Sequence, residues 1–427
     1  MTLFAHISDV HLGAEPYRRP DRYEDIFSAF EYFVEYVIRE HVRLVLIAGD
    51  LFDQPRPDNR TLRRAYSLLR RLSEAGVTVV AAHGEHDTPG RRDEDTPLTL
   101  LSALLDGFKA PSLLGLARRS GNSVAAVASY FTLSIGGLTI HVAPFTRQAP
   151  DKRKELLEEL FRAFDAGWRS RRRVLLGHFS LEHEFPLDTV KIPLASLPSV
   201  SYAALGHIHR GSLNTEAKPA YGYPGVVEPL KIDEAMISED RRSRFFLVDV
   251  SGDEPWVDIV RIPVRRSEVI DGKASRVREV EAILSEVKRR ASKRDEKGRP
   301  PVVYVRLGLE SLSIAPVTVY EKLASIERET KATILASVKR VGGAGSGGGT
   351  VRGTRGSLDL TALLSSEFCV SEEEASLIVN DIVSALADEG DQALAASIIE
   401  GLLKKRGVRF WESIARGASP CRKGRGG

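Results

Sequence analysis

The sequence predicts an α/β protein in which strands and helices alternate, and three observations support this fold class. Apolar runs such as "RLVLIAGD" and "VTVVAAHG" have the length of buried strands. The segments between them space their apolar residues as a helix does, for example at Ile26, Phe30, Phe33 and Val37. Alternation of this kind predicts a parallel sheet that is covered on its faces.

The predicted first unit spans residues 1–238. Its strands begin with "LFAHIS" and continue with "RLVLIAGD", "VTVVAAHG", "LTIHVAPF" and "RRVLLGH". The helix "EDIFSAFEYFVEYVI" follows the first strand, and "NRTLRRAYSLLRRLSEAG" follows the second and ends at Gly76, a suitable helix C-cap. Sheets of this type bind ligands beyond the carboxyl ends of their strands.

The remaining chain divides into a second small α/β module and a tethered tail. Residues 239–341 alternate strands such as "RFFLVDV" and "PPVVYVRLGL" with charged helices. Residues 342–356 are rich in Gly and Ser, which predicts a flexible linker. Apolar stripes behind a capping box at Ser371 and Glu374 predict helices within residues 357–417, and a disordered tail follows at 418–427. The helical segment fits either a docking module for a partner or packing onto the chain's own domains.

Composition places few limits on function. The formal charge of +3 with 28% charged residues is close to balanced, so overall charge is only a weak argument for nucleic acid. The sequence shows no secretory signal and no apolar run of the ~20 residues that span a bilayer. We therefore expect a soluble protein in the cytoplasm, with no membrane partner.

Each predicted strand end in the first unit carries an acid or a histidine. The motifs are "SDVHLG", "AGDLFD", "HGEHD", "LGHFS" and "ALGHIHRG". In an extended segment the D-x-H and H-x-H pairs place both side chains on one face. The residues that these motifs contribute are Asp9, His11, Asp50, Glu85, His86, His178, His207 and His209.

This set is larger than one metal ion needs. Mixed imidazole and carboxylate ligands suit divalent transition metals, and two such ions about 4 Å apart clamp both the attacking and the leaving oxygen of a phosphoryl group. The residues therefore predict a dinuclear phosphoesterase. Five further histidines belong to no paired pattern and are expected to be structural; they are His6, His41, His83, His141 and His183.

The five motifs, in this order, resemble the calcineurin-like metallophosphoesterase superfamily. "SYAALGHIHRG", "YGYPGVVEP" and the strands "FFLVDV" to "VVYVRLGL" resemble one branch, the archaeal-type, SbcD-like DNA double-strand-break repair nuclease subunit. The resemblance covers roughly residues 1–340. It implies a metallophosphoesterase sandwich followed by a small α/β capping domain that binds DNA.

The resemblance also implies the role of each site residue. Asp9, His11 and His209 would hold one metal ion; His178, His207 and residue 85 would hold the other. Asp50 would bridge the two ions, which would be manganese, with magnesium as a poorer substitute. His86 would act on the scissile phosphate or the leaving oxygen.

The family has Asn where this chain has Glu85. The change lowers the net charge of the site with two divalent ions from about +2 to about +1. Glu85 is then a ligand with an altered metal preference, a cause of slower turnover, or a mark of lost catalysis. Two further departures from the family pattern are Asp53, where His is common, and the apolar pair Val226 and Val227 after "YPG".

The resemblance implies a duplex exonuclease and single-strand endonuclease that acts in double-strand-break repair. The implied partners are DNA, a coiled-coil ABC-type ATPase gripped by the helical tail, and a second copy of the chain through helices 24–38 and 60–74. Candidate phosphate contacts lie after the Asp50 loop at Arg56, Arg60, Arg63 and Arg64. A small-molecule phosphodiesterase and a weakly active scaffold that binds DNA ends remain alternatives. The expected location is the cytoplasm, at the nucleoid.

Overall fold

A computed structural model describes residues 2–90, 95–112, 123–168, 170, 172–184, 190–311 and 314–341. In these residues the chain forms two six-stranded sheets, a three-stranded sheet and a two-stranded sheet, with helices between the strands. The predicted α/β class is confirmed. The predicted linker, helical segment and tail at 342–427 lie outside the described residues.

The helices and strands are numbered in chain order. The α-helices are α1 (Pro20–Arg39), α2 (Asn59–Glu74), α3 (Pro97–Leu104), α4 (Val124–Tyr130), α5 (Pro150–Gly167), α6 (Ile232–Ala235), α7 (Val277–Ala291) and α8 (Pro316–Thr330). The strands are β1 (Leu3–Ile7), β2 (Leu44–Ala48), β3 (Thr78–Ala82), β4 (Phe108–Lys109), β5 (Thr132–Ile135), β6 (Leu138–Val142), β7 (Arg173–His178), β8 (Ser180–Leu181), β9 (Lys191–Ile192), β10 (Tyr202–Gly206), β11 (Ser212–Asn214), β12 (Ala220–Tyr223), β13 (Arg244–Asp249), β14 (Trp256–Arg261), β15 (Ser267–Ala274), β16 (Val302–Leu309) and β17 (Thr333–Arg340). Within the described ranges no helix is long and apolar enough to cross a membrane.

Both large sheets have a parallel centre. The first has the order β14-β13-β1-β2-β3-β4, in which β1 to β4 run parallel and β13 and β14 add antiparallel edges. The second has the order β11-β12-β10-β7-β6-β5, with β12, β10, β7 and β6 parallel. Parallel strands place their carboxyl ends at one edge of each sheet.

The two sheets pack face to face between two layers of helices. Along β2 the side chains alternate: Leu44 and Leu46 join the core between the sheets, whereas Val45 and Ile47 pack toward α1 and α2. Helices α4 and α5 cover the outer face of the second sheet through residues such as Phe164. Because both faces of β2 are buried, its sequence is a continuous apolar run.

The three-stranded sheet belongs to a smaller module, residues 267–340. Its strands β15, β16 and β17 are parallel, and α7 and α8 pack on one face with a core of their own. The predicted second module began at residue 239. In the structure β13 pairs with β1 and β14 pairs with β13, so both strands extend the first sheet.

A cluster of ion pairs, here called the arginine hub, joins α1 to the smaller module. Arg22 is fully buried, and its guanidinium contacts Asp25, Glu228 at 2.7 Å and the hydroxyl of Tyr304 on β16. Arg265, just before β15, pairs with Asp25 at 3.0 Å and with Asp21 at 3.4 Å. We define the hub as Arg22, Arg265, Asp21, Asp25 and Glu228.

Candidate metal centre

The predicted site residues lie at the carboxyl ends of five strands in the two sheets. Asp9 and His11 follow β1, Asp50 follows β2, and Glu85 and His86 follow β3. His178 is the last residue of β7, and His207 and His209 follow β10. The packing of the two sheets brings these ends to a common edge.

At four of these residues the backbone is left-handed, not extended. The φ angles are 51° at Asp9, 53° at His11, 49° at Asp50 and 91° at His207. The expectation that D-x-H lies in an extended segment is therefore wrong, although the side chains do converge. Non-glycine residues in this region are uncommon and cluster at functional sites, because surrounding contacts must hold the strained conformation.

Two glycines allow the sheets to approach each other at this edge. At Gly49, where φ is 82°, a Cβ atom would lie 2.4 Å from the ring of His178. At Gly206 a Cβ atom would lie 1.9 Å from the carbonyl oxygen of Ala48. A larger residue at either position would push the second sheet away from the first, and the imidazoles would separate from the aspartates.

One group of possible ligand atoms comprises Asp9, His11 and His209. Nε2 of His11 lies 3.2 Å from Nε2 of His209, and Nε2 of His209 lies 3.8 Å from Oδ1 of Asp9. Two imidazole nitrogens that face each other at this distance suit a shared cation.

A second group comprises Asp9, Asp50 and His178. Nε2 of His178 lies 3.2 Å from Oδ2 of Asp50, while its Nδ1 donates to the carbonyl oxygen of Ala48 at 2.9 Å. Burial disfavours the charged imidazole, but Asp50 and Asp9 outweigh it and raise the pKa of His178 to about 10. Burial likewise opposes ionisation of Asp50, but the neighbouring imidazoles lower its pKa.

The donor set fits divalent ions. Nε2 of His178 is buried and faces Oδ2 of Asp50 at 3.2 Å without hydrogen-bond geometry. Buried polar nitrogens normally have partners. Asp50 contributes to the second group and lies 4.0 Å from Nε2 of His11 in the first, so its position between the groups suits a bridging ligand.

His207 lies beside this cluster. Its backbone N–H donates to both oxygens of Asp9, at 3.0 and 3.2 Å, and its ring lies 5.1 Å from that of His178. The side chain lines an open cleft with Asp50, Glu85 and His86. The structure thus places His207 next to the predicted site of the two metal ions. Its ring nitrogens lie outside the compact groups of possible ligand atoms found among the described residues.

His86 lies at the exposed rim of the centre. Its backbone N–H donates to Oδ1 of Asp50 at 2.8 Å, and its Nδ1 donates to the carbonyl oxygen of Asp53 at 2.7 Å. Its ring lies 4.8 Å from that of His11. The bond to Asp53 fixes the ring and leaves Nε2 free to act on a bound molecule.

Glu85 points away from the compact groups. Its side chain is 51% exposed, and its Oε1 lies 4.0 Å from the guanidinium of Arg147. Arg147 also donates to the carbonyl oxygens of Glu85 and Thr88 at 2.7 and 2.9 Å. Arg147 therefore holds the Glu85 loop and offsets part of the added charge.

Two buried carboxylates support the centre and were not predicted as site residues. Asp87 accepts from the backbone N–H groups of Phe52 and Gly84, both at 3.0 Å, and so connects the loops that follow β2 and β3. Burial and the charge of Asp50 raise the pKa of Asp87 to about 7. Glu234 accepts from Nδ1 of His209 at 2.8 Å. Asp87 stands inside the "HGEHD" motif, whereas Glu234 has no sequence signal.

The four predicted phosphate contacts differ in charge balance. Arg60 and Arg64 both pair with Glu24, at 2.6 and 2.9 Å. Arg63 is exposed and has no ion pair among the described residues, and Arg56 is exposed. One carboxylate thus offsets part of the positive charge on this surface.

Four of the five histidines expected to be structural have protein partners. His6 bonds Tyr202 at 3.2 Å, His83 bonds Thr96 at 2.8 Å, His141 bonds Thr132 at 3.0 Å and His183 bonds Tyr221 at 2.7 Å. The fifth, His41, is exposed.

This fold and donor set define a calcineurin-like phosphoesterase, and the family model of that description matches residues 2–211. A protein named DNA double-strand break repair protein Mre11 from Aeropyrum pernix is 35% identical over 424 residues, which cover 96% of this chain and 98% of that protein. The chain therefore belongs to the Mre11 family of metal-dependent phosphoesterases. The predicted superfamily and branch are confirmed.

More distant relatives carry the same name. The protein from Methanocaldococcus jannaschii is 28% identical over 273 residues, which cover 63% of this chain and 68% of that protein. The protein from Saccharolobus solfataricus is 28% identical over 277 residues, which cover 63% and 66%. These similarities extend the family assignment across several archaeal lineages.

Proposed function

We propose that the protein is a manganese-dependent DNA nuclease that processes ends in double-strand-break repair, as a duplex exonuclease and single-strand endonuclease. The observation that carries this proposal is the convergence of buried histidines and two aspartates at one sheet edge. The name of the relatives, DNA double-strand break repair protein, supports DNA as the substrate.

In this proposal Asp9, His11 and His209 hold one ion, His178, His207 and Glu85 hold the other, and Asp50 bridges them. Mixed nitrogen and carboxylate ligands suit divalent transition metals. The choice of manganese, with magnesium as a poorer substitute, follows from the resemblance to the repair-nuclease branch. Bound ions of this kind activate the attacking water and offset the charge that develops on phosphate oxygens. Glu85 would have to turn from Arg147 to become a ligand.

His86 would donate a proton to the leaving oxygen or stabilise charge on the scissile phosphate. Because its Nδ1 donates to the carbonyl of Asp53, only Nε2 can serve the substrate. Proton donation from Nε2 then requires a proton on both ring nitrogens.

The surroundings of the cleft support contact with a charged backbone. Arg210, Lys231 and Arg241 line the same cleft as His86, and cations of this kind bind phosphate without reading sequence. Arg56, Arg60, Arg63 and Arg64 would extend this contact beyond the Asp50 loop, with Arg63 the least offset by carboxylates.

The remaining proposals concern assembly. Residues 239–341 would cap the nuclease domain 1–238 and bind DNA, and 357–417 would dock on a coiled-coil ABC-type ATPase through the linker 342–356. Two copies would pair through α1 and α2. The complex would act at the nucleoid in the cytoplasm.

A cleavage assay tests the nuclease proposal. Metal-stripped protein is incubated, with and without added manganese, with end-labelled linear duplex DNA, circular single-stranded DNA and bis-p-nitrophenyl phosphate. We expect manganese-dependent cleavage of all three substrates. Cleavage of the small ester alone would favour the small-molecule phosphodiesterase, and DNA binding without any cleavage would favour the scaffold.

A further inference from the structure

The histidines of the candidate metal centre differ in the group that contacts their Nδ1 atom. His178 is oriented by a backbone carbonyl, that of Ala48. Nδ1 of His11 lies 3.4 Å from Oδ1 of Asp53 without hydrogen-bond geometry. His209, in contrast, donates from Nδ1 to the carboxylate of Glu234 at 2.8 Å. A carboxylate on the distal nitrogen fixes the tautomer and makes the other nitrogen a better metal ligand.

Glu234 is itself held in place. The residue is only 3% exposed. Its Oε2 accepts from the backbone N–H of Leu230 at 2.7 Å, while Oε1 faces His209 and lies 3.5 Å from Nζ of Lys231. Both oxygens therefore have partners, so the carboxylate offers His209 a fixed acceptor and not a mobile one.

The helix that carries Glu234 rests on the smaller module. Ile232 and Ala235 of α6 form a core cluster with Val302 and Tyr304 of β16 and with Leu335 of β17. The intervening Asp233 pairs with Arg306 of β16 at 2.8 Å. The position of Glu234 is consequently set by the three-stranded sheet.

We propose that Glu234 is a positioning residue that holds His209 with Nε2 toward Asp9 and His11, and that the three-stranded module sets the affinity of this half of the metal centre through it. The inference rests on the proposed metal centre. Loss of such an outer partner lowers metal affinity by about 10- to 100-fold.

Manganese binding by the full chain tests this proposal. Titration calorimetry measures two dissociation constants, one for each manganese ion. Electron paramagnetic resonance follows the signature of two magnetically coupled manganese ions. In Glu234→Gln, which keeps size and removes the charge, we expect one dissociation constant to rise by about 10- to 100-fold and the coupled signature to fade. The second constant should stay within about threefold of the original value, because His178 is oriented by backbone.

Asp240→Asn is the matched control. It removes the same charge between two residues of the same cleft, Ser238 and Arg241, but Asp240 is exposed and lies outside α6 and the three-stranded sheet. We expect unchanged manganese binding in this control. Equal weakening in both variants would overturn the proposal, since it would show a general charge effect, and so would unchanged binding in Glu234→Gln.

Ile232→Ala tests the link to the module. It leaves Glu234 chemically intact but loosens α6 on the sheet, so the same constant should rise by a smaller factor. If the dissociation constant of Ile232→Ala equals that of the original protein within error, the link to the module is wrong. Failure of the original protein to bind any manganese would instead refute the proposed metal centre itself.

Discussion

The metal centre and the arginine hub bury ionisable groups in opposite ways. In the hub every charged group contacts an opposite charge of the chain: Arg22 meets Asp25 and Glu228, and Arg265 meets Asp25 and Asp21. In the metal centre His178 also meets Asp50 at 3.2 Å, but the Nε2 atoms of His11 and His209 face each other at the same distance. A cluster in which every charge meets an opposite charge joins parts of the fold, whereas one whose imidazole nitrogens face each other is suited to bind a cation.

The comparison shows which features distinguish a structural cluster of charged residues from a functional one in the same chain. Both clusters are buried and both join distant segments, so burial alone does not distinguish them. Strained backbone does distinguish them, since Asp9, His11, Asp50 and His207 all have positive φ and no residue of the hub does.

The largest effect is expected for Asp50→Asn, which removes the bridging charge from the metal centre. The amide oxygen can still accept from the backbone N–H of His86, so the loop should keep its conformation. We expect phosphodiester cleavage with manganese to fall on the order of 10,000-fold, or about 5.5 kcal/mol. Rates on bis-p-nitrophenyl phosphate measure this. Activity within about tenfold of the original would contradict the bridging role.

The next effect is expected for Arg22→Met, which leaves Asp25 and Glu228 buried without their cation. Removal of one partner from a buried ion pair costs about 3–5 kcal/mol of unfolding free energy. Urea unfolding measures the loss. Adding Glu228→Gln should recover part of it, since one uncompensated charge is then gone. Unchanged stability of Arg22→Met would refute the structural role of the hub.

Local patterns in the sequence predicted the strands and the positions of the candidate ligand residues. Each motif joins an apolar run to an acid or histidine, and β2 with Asp50 illustrates this. Parallel strands then carry these residues to one edge for topological reasons. The left-handed backbone at Asp9 and His11 was missed, because the surrounding fold imposes it and local residue preferences do not.

Contacts between distant segments could not be predicted. Glu228 meets Arg22 of α1, and Glu234 meets His209, without any local motif. The apolar run of β13 predicted a strand, but a single sequence does not show that this strand pairs with β1. For the same reason the predicted start of the second module differs from the start of the separate sheet at Ser267.

A buried histidine outside both clusters, His141, makes the stability of the fold depend on pH. His141 is fully buried and stacks on Phe164, and burial, followed by the charge of Arg173, lowers its pKa to about 4. Below pH 6.5 the unfolded chain takes up a proton that the folded chain rejects until about pH 4, so stability is lost as pH falls through this window.

The variant His141→Gln removes this titration. Between pH 7.5 and pH 5.0 the original protein should lose about 2 kcal/mol more unfolding free energy than the variant, from about 1.5 pH units below 6.5. Urea unfolding at both values measures the difference. Equal losses in the two proteins would show that His141 does not contribute to the acid sensitivity of the fold.

The smallest effect is expected for Glu85→Asn, which tests how much unbalanced charge the centre tolerates. Glu85 is half exposed and faces Arg147 at 4.0 Å, so solvent and that cation screen its charge. Exposed pairs of this kind contribute about 0.2–1 kcal/mol, and we expect DNA cleavage to rise about two- to fivefold while manganese is retained less tightly. Arg147→Gln is the control, because it exposes the same carboxylate to the centre without its cation and should slow cleavage. Slower cleavage in Glu85→Asn would contradict the charge argument, since it would show that the carboxylate serves the metal centre better than the amide does.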